Sequence, residues 1–275
     1  MADDDLHDFE RDSFTFDGKE RTVFRLGSGP AVIVIAEMPG ITPKVADFAR
    51  KVAGLGCTAV MPHLFGTPGR VGLVDASPLK SIPYALSSMV PACISREFTV
   101  LATGKTSPVV AWLRALAAQE HERCGGPGVG AIGMCFTGGF ALAMAADPRL
   151  LAPVLSQPSL PFGVSKSRRR SIDCSAEDLA AVKQRCAAEG LTVLGLRFTG
   201  DSFVPAERFA FLKEELGDAF VAVEIDSSKD NPHGNPKSAH SVVTEHLVDE
   251  PGHPTREALD QVFDLFRTRL LSASK

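Results

Sequence analysis

The first residues in this 275-residue chain whose types and spacing could do chemistry are Ala131-Ile132-Gly133-Met134-Cys135-Phe136-Thr137-Gly138-Gly139. An apolar run ends, a glycine follows, and a nucleophilic side chain stands two residues on, ahead of small residues that open a helix. That layout is a nucleophile elbow, a sharp strand-to-helix turn that lifts a reactive side chain above a sheet. Glycines are required because the turn brings strand and helix backbones close together. A cysteine there sits at a helix N-terminus, where free amides and the helix dipole favour thiolate. The Phe136 amide is placed to stabilise an oxyanion. The bland alternative is that Cys135 is one more small buried hydrophobe at a tight junction.

A nucleophile needs a base, and the base needs an orienting acid. In an elbow architecture the chain order is nucleophile, acid, histidine. Leu194 to Asp201 reads as a strand ending in Gly-Asp, so Asp201 falls at a strand's C-terminal edge; its competing reading is a helix N-cap ahead of Pro205. His240, in Ser238-Ala239-His240-Ser241, lies after the next strand and before the last helix. The separations, 66 residues from 135 to 201 and 39 from 201 to 240, fit one or two β-α units each. His233, His246 and His253 share the region as rivals. His253-Pro254 reads as a cap or loop, Asn231-Pro232-His233-Gly234 as a turn, and His63 as a pocket-wall candidate.

The elements that must position these groups alternate strand and helix. Val32–Ile35, Cys57–Met61, Val129–Gly133, Leu151–Leu155, Leu191–Phe198 and Phe220–Ile225 are short apolar runs suited to strands buried on both faces. Ser13–Phe16 and Thr22–Leu26 alternate around Asp17-Gly18 as an antiparallel edge hairpin. Helices are expected from Pro43 to Leu55, 84 to 94, Pro108 to His121, Phe140 to Ala146, Ala176 to Ala188, Ala206 to Leu216 and Thr255 to Leu271. Repeated β-α units predict a mostly parallel central sheet with helices on both faces. The expectation is one domain over residues 1–275, with an excursion around 63–105 covering part of a pocket. Gly128-x-Gly130-x-x-Gly133 matches a dinucleotide pattern, but its glycines lie before and within the strand, which argues against that use.

Composition narrows the classes. Twenty-nine Lys+Arg against 33 Asp+Glu give a net charge of −4, and 44% of residues are hydrophobic. Such a chain is neither disordered nor built to read nucleic acid, which needs a basic stripe; Arg168-Arg169-Arg170 reads as a solvated loop. No apolar stretch is long enough for a membrane span, and the acidic N-terminus does not resemble a signal peptide. The expected location is cytoplasmic. The six cysteines, at 57, 93, 124, 135, 174 and 186, show no C-x-x-C pair and no zinc spacing, so reduced thiols are expected and no metal site.

Taken together, these segments resemble the dienelactone hydrolase (carboxymethylenebutenolidase) family of α/β-hydrolases. The family's Gly-x-Cys-x-Gly-Gly elbow is similar to Gly133 through Gly139. Its glutamate after the third strand resembles Glu37 in Ile35-Ala36-Glu37-Met38-Pro39-Gly40. Pro62-His63-Leu64-Phe65, Gly200-Asp201-x-Phe203-Val204-Pro205 and Ala239-His240-Ser241 resemble further family segments, and the likeness runs from about residue 20 to residue 270. It implies an α/β-hydrolase fold without cofactor, with Cys135 as nucleophile, His240 as general base and acid, and Asp201 orienting His240. It also implies Glu37 beside the thiol controlling its ionisation, and an oxyanion hole from the amides of Met38 and Phe136. A solvent-facing carboxylate is the alternative for Glu37. The chain departs from the family at Thr137, usually glycine, and in lacking the carboxylate-gripping arginine a few residues after the histidine. Arg96 is the candidate to replace that grip.

The expected activity is hydrolysis of ester or lactone bonds through a thioester acyl-enzyme, on a small-molecule substrate, by a monomer or homodimer with no membrane or nucleic-acid partner. The other readings are a non-catalytic scaffold with a retained thiol, and a thiol redox sensor.

Overall fold

A computed structural model describes residues 2–71, 97–98 and 103–272. Eight strands make one sheet in the order β1-β2-β4-β3-β5-β6-β7-β8: β1 Glu10–Phe16, β2 Lys19–Gly27, β3 Ala31–Ile35, β4 Thr58–Pro62, β5 Val129–Met134, β6 Leu150–Ser156, β7 Val193–Phe198 and β8 Phe220–Ile225. β1 and β2 pair antiparallel around Asp17 and Gly18, both at positive φ, and β2 pairs antiparallel with β4. Every later pairing is parallel. The sheet is therefore mostly parallel, as the pattern of apolar runs predicts, and the architecture is an α/β-hydrolase fold.

The central strands have no polar face because helices cover both sides. β3, Ala-Val-Ile-Val-Ile, is buried at all five positions. Its period-2 alternation divides the core: Ile33 and Ile35 point to one apolar layer, Val32 and Val34 to the other. The first layer is closed by α2 (Val109–Cys124), α3 (Gly138–Met144), α4 (Ala176–Glu189) and α5 (Ala206–Leu216). The second is closed by α1 (Pro43–Ala53) and α6 (Pro254–Phe266), the latter continuing as a π-helical turn over Arg267–Leu271. α1 shows why such a helix starts and faces where it does. Thr42 accepts from the Val45 amide at 3.3 Å, and Pro43 occupies the first turn. Val45, Phe48, Ala49 and Val52 then share the buried face.

The antiparallel pair is tied to the body by charge as well as by ladder bonds. Arg25 on β2 is 2% exposed and pairs at 2.6 Å with Glu120 of α2, which is wholly buried. One boundary that differs from expectation bears on the site. α3 begins at Gly138, not at Phe140, and a 3-10 turn over Cys135–Thr137 precedes it. Glycine's low helix propensity argues for a later start, but close packing forces the glycines into the helix. A Cβ at Gly138 would lie 2.5 Å from the Cα of Pro158. The expected helix at 84–94, Cys93 and most of the 63–105 excursion lie outside the described residues. Among the described residues no helix is long and apolar enough to cross a membrane.

Candidate active site

β5 delivers Cys135 to the edge of the sheet where the parallel strands end. Its φ is +52°, a left-handed conformation that costs an ordinary side chain about 1–2 kcal/mol and turns Cys135 out of the strand direction. Gly133 makes this turn possible, since a Cβ there would stand 2.1 Å from the Thr137 carbonyl oxygen. Thr137, the departure from the glycine-rich pattern, fits because its own φ is −95°. Its hydroxyl accepts from the Met134 amide at 2.9 Å and donates to the Ile35 carbonyl at 2.9 Å, joining the ends of β5 and β3. The residue that breaks the family pattern thus braces the turn.

His240 Nδ1 donates to Asp201 Oδ2 at 2.6 Å, with Asp201 2% and His240 19% exposed in their side chains. The other carboxylate oxygen accepts from the Phe203 amide at 2.9 Å, so the segment Asp201-Ser202-Phe203 folds around its own acid. Asp201 does not cap α5, whose N-cap is Pro205 without a side-chain bond. Burial by itself would lower the His240 pKa. The charge of Cys135 and hydrogen bonds to Asp201 and Cys135 outweigh burial and hold it well above the usual histidine value. Cys135, Asp201 and His240, drawn from the segments that follow β5, β7 and β8, therefore converge. The Phe203 ring, itself exposed, stands edge-on to the His240 ring at 5.6 Å.

Glu37, immediately beyond β3, is 3% exposed and does not face solvent. One carboxylate oxygen accepts from Ser241 Oγ at 2.5 Å and from Gln157 Nε2 at 3.2 Å, and the other from Thr244 Oγ1. All three donors are neutral, and Ser241 and Thr244 belong to the His240 loop. Thr244 occupies the stretch where the resemblance calls for an arginine, and its hydroxyl engages Glu37. On the sulfur side, Ser159 Oγ lies 3.5 Å from Cys135 Sγ. Phe136 is buried, its ring edge-on to Phe98 at 5.3 Å and to Phe65 at 6.1 Å, and Met38 packs beside the same apolar cluster. Arg96 lies outside the described residues.

The rival histidines have other work. His246 Nδ1 accepts from the amides of His240 and Ser241 at 3.4 and 3.3 Å, pinning the histidine loop from behind. Burial, and then the charge of His240, lowers the His246 pKa, in keeping with an unprotonated acceptor. His253 caps α6 by accepting from the Thr255 amide at 3.3 Å. His63 bonds the Gly66 carbonyl at 2.9 Å, and His233 packs edge-on against His253. Of the other described thiols, Cys57 and Cys174 are buried, and burial pushes Cys57 up to about 11 and pushes Cys174 and the partly buried Cys186 upward too.

Sequence reasoning missed the segment after β6. Gln157 is wholly buried with φ +38°, strain that a surrounding structure must impose. Its Nε2 reaches Glu37, and its Oε1 accepts from the Val242 amide at 3.2 Å, bridging two loops of the site. Arg208 of α5, also wholly buried, grips the carbonyls of Pro158 at 2.6 Å, Pro161 at 2.5 Å and Ser171 at 2.7 Å. Burial pulls its pKa down to about 10, which still leaves it charged at neutral pH. The signal available was Gln157-Pro158-Ser159-Leu160-Pro161, a proline-rich stretch at a strand's C-terminal end. Among the described residues no cluster of three or more His, Cys, Asp or Glu could hold a metal ion.

This fold is shared by solved structures of low sequence similarity. The dienelactone hydrolase of Anabaena variabilis superposes with a TM-score of 0.58 at 16% identity, covering 96% of this chain and 100% of that one. A dienelactone hydrolase-like promiscuous phosphotriesterase from metagenomic libraries gives 0.55 at 15% identity, covering 95% and 98%. A cold-adapted esterase from an Arctic intertidal metagenomic library gives 0.53 at 16%, covering 95% and 93%. No match to the chain is found among curated proteins. The model of the dienelactone hydrolase family matches residues 23–270, a span that takes in β3, the Cys135 turn, Asp201 and His240, and the chain belongs to that family.

Proposed function

We propose that this protein hydrolyses ester or lactone bonds of a small molecule through a thioester on Cys135, without a cofactor. The observation that carries the reading is the left-handed Cys135 beside a His240 that Asp201 holds at 2.6 Å. A spectator cysteine has no use for a strained backbone or for an oriented base. His240 takes the thiol proton, giving a thiolate–imidazolium pair. The sulfur lone pair attacks the acyl carbon, and the carbonyl π pair moves onto oxygen, facing the amides of Met38 and Phe136. Collapse re-forms the C=O bond and expels the alkoxide or enolate, which takes the proton from His240. Water, losing a proton to His240, then attacks the thioester carbon. The second collapse expels thiolate and leaves the acid.

Leaving-group ability sets the substrate class. A thiolate departs more readily than an alkoxide, so the first adduct reverts unless the alcohol side leaves easily. Aryl esters and enol lactones meet that condition. An enol expelled from a lactone also tautomerises to the ketone, so ring closure cannot reverse acylation. In this reading Glu37 sets the sulfur's surroundings through the His240 loop that it binds.

The test is mass spectrometry of the protein after exposure to a panel of aryl esters and enol lactones. Acyl mass on the peptide containing Cys135, with turnover lost in Cys135→Ala, is expected. Full esterase activity in Cys135→Ala, or acylation elsewhere, sinks the proposal.

A further inference from the structure

We infer that Ser159 is a further catalytic residue, whose hydroxyl donates a hydrogen bond to the Cys135 sulfur and favours its thiolate form. The inference rests on Cys135 being the nucleophile. Ser159 is 1% exposed, and its Oγ stands 3.5 Å from Sγ. Its amide donates to the Cys135 carbonyl at 2.9 Å, so main chain and side chain both address the same residue. Among the described residues, the sulfur is the partner of this hydroxyl.

The geometry is imposed rather than incidental. Arg208 holds the carbonyls of Pro158 and Pro161, on either side of Ser159. The preceding Gln157 is fixed in a left-handed conformation. Gly138 brings α3 so close to Pro158 that a side chain at that glycine would collide with it. The hydroxyl is therefore carried on a loop whose backbone is clamped from two sides beside the sulfur.

The chemistry follows from what each protonation state offers. A neutral thiol is a weak acceptor and a weak donor, so it gains little from the hydroxyl. A thiolate has no proton to give and accepts strongly, so Ser159 must then be the donor. The bond therefore favours the charged form selectively. His240 in its imidazolium form supplies one donor to the sulfur, and Ser159 supplies a second that stays in place after the imidazolium has lost its proton. The same preference for thiolate makes sulfur a better leaving group when the thioester is hydrolysed.

The experiment is the pH dependence of Cys135 alkylation by iodoacetamide, followed by peptide mass spectrometry so that the other cysteines are read separately. In Ser159→Ala the midpoint is expected to rise by about one pH unit, making alkylation below the midpoint about tenfold slower. Ser159→Thr, which keeps the hydroxyl, is expected to follow the wild type. A Ser159→Ala midpoint equal to the wild type, in protein of unchanged circular dichroism, overturns the inference: the alanine keeps the backbone bond to Cys135, so a purely structural role predicts no shift. If the alanine variant does not fold, Ser159→Gly is judged by the same criterion. Wild-type protein that is not acylated at Cys135 refutes the hydrolase proposal itself; acylation at Cys135 with an unmoved midpoint refutes only the role of Ser159.

Discussion

Replacing Asp201 with asparagine separates the charge of the acid from its shape. The amide's oxygen can keep the 2.9 Å bond from the Phe203 amide, so the local turn survives. What is lost is a buried carboxylate 2.6 Å from His240 Nδ1. A charge-assisted bond of that kind contributes about 1.5–3 kcal/mol, which is about 10- to 150-fold in the population of the thiolate–imidazolium pair. A second effect adds to it. With the amide NH2 facing Nδ1, the ring is favoured in the tautomer that accepts there and carries its proton on Nε2, so it cannot take one from the thiol. The measurement is the pH profile of Cys135 alkylation together with kcat/KM on an aryl ester. At neutral pH both should fall at least tenfold in Asp201→Asn, and alkylation should recover at high pH, where hydroxide ionises the thiol directly. Profiles that superimpose on the wild type, in folded protein, would show that His240 is not oriented by Asp201 for proton transfer.

Three other outcomes are expected. Glu120→Ala should lower stability by about 3 kcal/mol in denaturant unfolding, because Arg25 is left buried with only the half-exposed Asp12 at 3.3 Å. Gly133→Ala places a methyl against the Thr137 carbonyl and should cost about 3 kcal/mol, with loss of Cys135 acylation in whatever protein folds. Asp173 is wholly buried, accepts from the Ser107 amide at 2.8 Å, and has its pKa pushed by burial up to about 7. A raised carboxyl pKa means the folded state binds the proton more tightly. The stability it contributes is complete below about pH 4 and is lost as pH rises toward 7, by up to about 4 kcal/mol. Asp173→Asn should remove that slope from a series of unfolding curves between pH 4 and 8; an unchanged slope would place the titration elsewhere.

Much of the fold was legible because the parallel strands are wrapped on both sides. Ala31–Ile35 and Val129–Met134 must be apolar throughout, and a continuous apolar run bounded by glycine or proline leaves few readings. Cys135, Asp201 and His240 were legible for a related reason. Each lies in the loop that follows a parallel strand, so the order of strands in the sequence predicts that they meet at one edge. The helix starting at Gly138 was misplaced because propensity speaks only of the local chain. The demand for glycine there comes from Pro158, twenty residues away in sequence and 2.5 Å from where a Cβ would stand.

The supporting residues were invisible for a deeper reason. Gln157, Arg208 and His246 act by meeting backbone groups, and a backbone carbonyl or amide has no letter in the sequence. Arg208 on α5 looks like an ordinary surface arginine, four residues after an equally ordinary Val204. Only the fold shows that it is wholly buried and satisfied by main-chain carbonyls instead of an acid. Glu37 carries the same lesson in reverse: an acid beyond a strand looks as if it awaits a cation, yet its partners are two hydroxyls and an amide. These neutral partners join Glu37, the Gln157 loop and the His240 loop into one network behind the thiol. A perturbation of Glu37 or of the His240 loop should therefore reach Cys135 through the position of His240, and one of the Gln157 loop through Ser159 as well.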